Sequence, residues 1–213
     1  MSGKDGRDPA NSRETILDAA ESLLAERGYS GTSIAAVCAA SGMPTGSIYW
    51  HFGNKAGVAS AVMQRGARAF FARLPRASEL DGNPAERLRS FFEAAAEAIA
   101  AHPAFFRLEV VLNMESHDDE MRGILRQVTD YTMQEIVSVV EPAARDSGVA
   151  EPTALAAELA ELTIALTRGS LLSFGGDRDK VTLTMRRLHH LIVLSIADAA
   201  ARAPLSGQGG SQP

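Results

Sequence analysis

Cysteine is almost missing from this chain: Cys38 is the single one among 213 residues. An internal disulfide is therefore excluded, and a reducing compartment fits. Cys38 lies between Val37 and Ala39 in an apolar run and reads as a small core residue. Long hydrophobic runs are missing too. The most apolar stretch, LIVLSIADAA, is interrupted by Asp198, well short of the ~20 apolar residues of a membrane span. The opening MSGKDGRDPANSR has no apolar stretch of the kind a secretion signal needs. A cytoplasmic protein without membrane association is expected. Catalytic signatures are equally scarce. No G-x-S-x-G, phosphate-binding or dinucleotide glycine motif occurs. His102, His117, His189 and His190 stand at no metal-ligand spacing with cysteine or carboxylate partners. No metal, cofactor or catalytic residue is expected, and the enzyme class is set aside.

One absence is regional. From Arg27 to Ser78 there is no Asp or Glu, while Arg27, Lys55, Arg65, Arg68, Arg73 and Arg76 give the segment +6. The chain total is −5, so everything else carries −11. A separation of sign this sharp marks a surface that meets a polyanion.

Strand alternation, internal repeats and heptad arrays are also missing; what remains is helical periodicity. Asn11 with Glu14 reads as an N-cap pair, followed by Ile16, Ala19, Ala20, Leu23 and Leu24. Gly28 suits the left-handed end of that helix. Thr32 is expected to cap a short second helix with Ile34, Val37 and Cys38 inward, broken at Ser41-Gly42. A third short helix follows Pro44 and carries Ile48 and Phe52 at i and i+4. Gly53 stops it, and Asn54 caps a longer helix reaching Leu74-Pro75, in which Gly57 and Gly66 are expected to ease bending. Long helices then take over. Asn83 and Glu86 form a second capping pair, and Pro103 restarts the chain into FFRLEVVLNM. Asp118 is expected to open a helix that Pro142 kinks or ends, and two more run from Thr153 to Phe174 and from Asp179 to Ala201. The expected fold is all-α with about nine helices. Residues 1–10 and 203–213 are expected to be disordered, with one domain at 11–55 and a larger one at 56–202.

Two short helices joined by a glycine-containing turn describe a helix-turn-helix, whose second helix enters a major groove. Pro44 opens that second helix, and Thr45, Gly46 and Ser47 are all small enough for close approach to base edges. Tyr49, Trp50 and His51 extend sideways, where rings with polar tips meet phosphates and thymine methyls. Lys55, at the start of the next helix, suits a phosphate, as do the hydroxyls of Thr32 and Ser33.

The run TGSIYWHFGNK, preceded by GYSGTSIAAVCAASGM, resembles the signature of the TetR family of one-component regulators. The likeness covers residues 11 to 65. It implies an all-helical homodimer with an N-terminal three-helix DNA-binding domain and a C-terminal ligand-binding and dimerisation domain. Ala56 and Gly57 stand where an acidic residue often follows the lysine, and Met43-Pro44 replaces the commoner small residues. The function implied is a repressor released from a palindromic double-stranded operator by a small molecule. An activator, or an adaptor with little DNA binding, is the competing reading on the same fold.

The C-terminal domain is less legible. Phe92, Phe105, Phe106, Met114, Met121 and Phe174 are large or soft apolar groups that suit a cavity for an apolar or aromatic effector. No Arg or Lys obviously faces them, which disfavours an anion. Leu191 to Leu194 is apolar around most of its circumference and needs cover on two sides. With Leu159, Leu162, Leu166 and Gly169 on the preceding helix, Leu191 and Leu194 are expected in a homodimer interface.

Overall fold

The computed structural model describes residues 9–115, 119–174 and 177–202, and among these the chain forms nine α-helices and no strand. The helices are α1 (Pro9–Arg27), α2 (Ile34–Ser41), α3 (Thr45–Phe52), α4 (Lys55–Phe71), α5 (Pro84–Ala101), α6 (Pro103–Glu115), α7 (Asp119–Asp146), α8 (Pro152–Phe174) and α9 (Arg178–Arg202). A 3₁₀ turn at Ala77–Glu79 lies between α4 and α5. Residues 1–8 and 203–213, with His117 and the helix start expected at Asp118, lie outside the described residues.

The first three helices pack on one another through Ile16, Leu17, Ala20 and Leu24 of α1, Val37 of α2 and Ile48 of α3, all at most 1% exposed. These positions recur every three or four residues, so each helix turns one apolar face inward. α4 then contributes Val58, Val62 and Met63 to the same core. It touches α1 and α3 on one side and α6 and α7 on the other, so it is common to both halves of the molecule. Arg65 fastens it to α1 by reaching Glu14 at 3.1 Å, Asp18 at 2.7 Å and Glu21 at 2.5 Å. In the body, α7 packs on α8, α5 on α9, and α8 on α9. One contiguous apolar cluster runs from Ile16 to Ile196.

Several local expectations are corrected. α1 is already helical at Pro9, ahead of the expected Asn11 cap. Asn11 is inside the helix, its carbonyl accepting from Thr15 Oγ1. Ser33, not Thr32, caps α2, accepting from the Ala36 N–H at 3.1 Å. α4 stops at Phe71, short of Leu74, since the residue before Pro75 is biased out of helical geometry. α7 continues through Pro142 to Asp146. The proline leaves the carbonyl of Ser138, an exposed residue, without its helical donor.

Two glycines of α4 are explained by space rather than by bending. A methyl at Gly57 would overlap the Phe52 carbonyl, so the tight passage from α3 into α4 needs its absence. A methyl at Gly66 would overlap the Phe105 ring, which lies directly on that turn of α4.

Candidate nucleic-acid interface and effector chamber

The turn between α2 and α3 is set by three residues. Gly42 takes φ 67°, a left-handed conformation that favours glycine. The Ser41 hydroxyl donates to the Val37 carbonyl at 2.6 Å and accepts from the Met43 N–H at 3.2 Å. Met43 is 8% exposed and plugs the turn into the core, so the departure at this position is structural. Pro44 is the extended residue before α3 and offers no side-chain cap.

With Ile48 fully buried, α3 has one orientation. Thr45, Gly46, Tyr49 and Trp50 are exposed, Trp50 at 74%; Ser47 and His51 are half-buried. The space where a Gly46 side chain would project is open. Nothing among the described residues therefore demands a glycine there, although glycine weakens a helix by roughly 0.5–1 kcal/mol relative to alanine. The Trp50 and His51 rings meet edge to face with centroids 4.5 Å apart. Thr32 is different. It is 3% exposed and its hydroxyl donates to the Gly28 carbonyl at 2.8 Å, so it is not presented outward as expected. Ser33 is exposed, but its oxygen already accepts the α2 capping bond. Lys55 is half-buried with its ammonium 4.3 Å from the centroid of the Tyr29 ring. That cation–π contact orients the lysine, and no spacing rule in the sequence points to Tyr29.

The basic segment does not form one patch. Arg65 is neutralised by three carboxylates of α1, which hold its pKa above the ordinary value although burial works to lower it. Arg68 and Arg76 line a groove at the far end of α4. Of the six cations, Lys55 opens the helix that follows α3, and Arg27 closes α1. The expectation of a +6 surface is corrected accordingly.

In the body, a narrow chamber of about 70 Å³ lies among α4 to α9, ringed by Phe70, Phe71, Phe91, Phe92, Phe105 and Phe106. The Phe70 and Phe106 rings meet edge to face at 4.9 Å, and Phe105 and Phe106 at 5.0 Å. The volume is below the ~300–1,000 Å³ usual for ligand pockets, so these rings largely fill it. A second, wider cavity of about 610 Å³ adjoins it, sharing Phe71, Leu74 and Glu135. Of the six expected lining residues, Phe92, Phe105 and Phe106 are there. Met114 and Phe174 are instead 72% and 45% exposed, and Met121 is buried in the core away from the chamber. Helical periodicity alone did not say which face of each helix turned toward the chamber.

A cation does face the chamber, contrary to expectation, but it is paired. Arg168 donates through Nε and Nη2 to Oε1 of Glu109, which is 3% exposed, and through Nη2 to Thr129 Oγ1 at 2.7 Å. Neither partner announces itself in the sequence, since 59 residues separate Arg168 from Glu109.

The outer faces of α8 and α9 carry Leu162, Leu166, Leu191 and Leu194 at 41–51% exposure, with Gly169 also exposed. Leu159 is 5% exposed and belongs to the core of the chain itself, not to this face. No helix among the described residues is long and apolar enough to cross a membrane. No group of three or more metal-ligating side chains occurs among them.

A short helix locked by one buried isoleucine, presenting small and aromatic groups outward from an all-helical body, defines a helix-turn-helix regulator fold. Residues 16–62 match the family model for bacterial regulatory proteins, tetR family. Over that segment the chain resembles the DNA-binding region of the TetR family. The HTH-type transcriptional regulator LmrA of Bacillus subtilis is 28% identical over 163 residues, 76% of this chain and 85% of that protein. The HTH-type transcriptional repressor KstR2 of Mycobacterium tuberculosis is 34% identical over 92 residues, 43% of this chain. That match spans about half the length of KstR2, 46%. A TetR-family regulator from Agrobacterium tumefaciens has the same fold, with a TM-score of 0.70 at 22% identity over 86% of this chain and 98% of that one. PfmR from Thermus thermophilus, another TetR-family regulator, gives 0.70 at 23% identity over 84% and 97%.

Proposed function

We propose that the protein is a homodimeric transcriptional repressor that binds a palindromic DNA operator through α3 and is released by a small, largely apolar effector. The observation that carries the reading is the outward face of α3. Thr45, Gly46 and Ser47 leave room for base edges, and Tyr49, Trp50 and His51 flank them with polar-tipped rings. Pro44 and Ser33 border that face, and Lys55 meets a phosphate from the start of α4. The segment up to residue 55 acts as the reader, and the rest, from residue 56, as the effector and dimer domain. A second copy covers Leu162, Leu166, Leu191 and Leu194 by packing α8 and α9 into a four-helix bundle.

Release follows from α4. The effector enlarges the filled chamber by displacing phenylalanine rings, and Phe105 sits on Gly66 of α4 with no slack. Moving Phe105 therefore moves α4 and the spacing of the two α3 helices in the dimer. A coupling of about 1–3 kcal/mol changes operator affinity about 5–150-fold, and the operator weakens the effector by the same factor. The experiment is a gel-shift series over salt concentration, using inverted repeats from the DNA beside this protein's own gene. Replacing Lys55 by alanine weakens all sequences about equally and shallows the salt slope by about one unit. Unchanged affinity and slope in Lys55→Ala would overturn the docking of this face. No duplex binding at any salt would favour an adaptor role instead.

A further inference from the structure

The chamber's polar groups share one property. The Thr132 hydroxyl donates to the Val128 carbonyl at 2.8 Å, Thr163 to Leu159 at 2.7 Å, and Thr167 to Thr163 at 2.7 Å. Their protons are committed to their own helices, so what they turn to the chamber is lone pairs. Glu109 takes the bonds from Arg168 and Asn113 on Oε1, and its Oε2 has no hydrogen-bond donor among the described residues. Glu135 stands where the chamber meets the wider cavity and forms no salt bridge among the described residues, although Arg68 and Arg76 also line the wider cavity. Arg168 is the one cation in the lining, and its Nε and Nη2 are held by Glu109 and Thr129. An anion reaching Nη1 would stand beside the buried Glu109 carboxylate and be repelled by it.

We infer that the chamber selects an aromatic ligand whose polar end donates hydrogen bonds, a protonated amine above all, and that it turns carboxylates away. The lining carries two carboxylates against one guanidinium, so its net charge favours a cation. Six phenylalanine rings add attraction for a cation held over their faces. Glu135 is the group that meets the charge, because it lines both spaces; Arg68 and Arg76 stand against Glu79 in the wider cavity, so the donor stays on the chamber side of Glu135. The ligand thus lays its ring system inward and its donor at the junction.

This selectivity rests on the effector role proposed above, but its test needs no DNA. The full-length protein is titrated by calorimetry at neutral pH with a naphthylmethylamine, a naphthol and a naphthoate, which share a ring system and differ in the polar end. The amine binds best, the naphthol next, and the naphthoate least. Glu135→Gln weakens the amine about tenfold or more while changing the naphthol less than about threefold, as loss of a charged acceptor requires. Glu109→Gln frees the Arg168 charge and gains naphthoate binding, a result that misfolding does not produce. Naphthoate binding as tightly as the amine, an unchanged preference in Glu135→Gln, or no gain in Glu109→Gln each overturns the inference. So does a failure of all three probes to bind. If the amine binds as described but leaves operator affinity unchanged, the regulatory reading fails and the selectivity stands.

Discussion

Trp50 on α3 and Leu194 on α9 are both large, apolar and exposed, at 74% and 51%, yet their surroundings differ. Around Trp50 stand Thr45, Ser47, Tyr49 and His51, each with a polar atom at its tip. Around Leu194 stand Leu191 and Val193, which have none. A face of rings with polar tips suits a wet, charged partner whose phosphates and base edges take hydrogen bonds. A face of bare aliphatic groups has nothing to offer water and is stable only against another dry surface. Exposure of apolar area therefore means two things in one chain, and the neighbouring atoms decide which.

The sharpest way to break this contrast is to charge the aliphatic face. Leu191→Glu combined with Leu194→Glu yields a folded monomer by light scattering at micromolar concentration. Losing the second reading head lowers operator affinity about 100-fold or more, the usual gain from two linked sites. A dimer with full affinity would mean that this face is not the contact.

A smaller effect separates two glycines. Gly66→Ala places a methyl into the Phe105 ring and destabilises the fold by about 1–3 kcal/mol in denaturant unfolding, as overpacking does. Gly46→Ala meets only open space among the described residues, so folding is unchanged or strengthened by about 0.5–1 kcal/mol. The same Gly46→Ala change weakens operator binding, by about 1–3 kcal/mol for one spoiled base contact. If Gly46→Ala bound DNA normally, the glycine would have no part in close approach.

The smallest effect is electrostatic and belongs to the body. His102, at the junction of α5 and α6, has its pKa lowered, by burial first and then by Arg73, with Glu21 opposing. Its Nε2 is buried with no hydrogen-bond partner among the described residues. His189 on α9 is lowered too, chiefly by burial. A histidine with a depressed folded pKa binds protons more readily when unfolded. Stability is therefore full above the unfolded value of about 6.5 and falls as pH drops below it. Denaturant midpoints at pH 7.5 and 5.5 should differ in that direction, and His102→Gln should narrow the gap. An unaltered gap would place the acid sensitivity elsewhere.

The helix-turn-helix was legible because its rules are local. Gly28, Gly42 and Gly53 take positive φ, and Asn54 and Asn83 cap α4 and α5, as their residue types imply. The error at α2 was a displacement of one residue, from Thr32 to Ser33, where two adjacent hydroxyls compete for one cap. The chamber was only half legible. Phe92, Phe105 and Phe106 line it, while Met114, Met121 and Phe174 have the same chemistry and lie elsewhere. A side chain's type says that it prefers burial, not against which helix.

What the sequence determined by itself is the set of helices, the turn that joins α2 to α3, and the orientation of α3 through Ile48. Each depends on backbone bonds and apolar spacing within a few residues. Only the tertiary structure decided how charge is shared. The acid-free segment reads as +6, but α4 crosses α1 so that Arg65 meets Glu14, Asp18 and Glu21, some 44 to 51 residues away in the chain. Arg168 finds Glu109 in the same way, turning a lone cation into a neutral pair beside the chamber. Charges act through space and are compensated by whatever the fold brings near, so their meaning is set when helices pack, not when residues are placed in order.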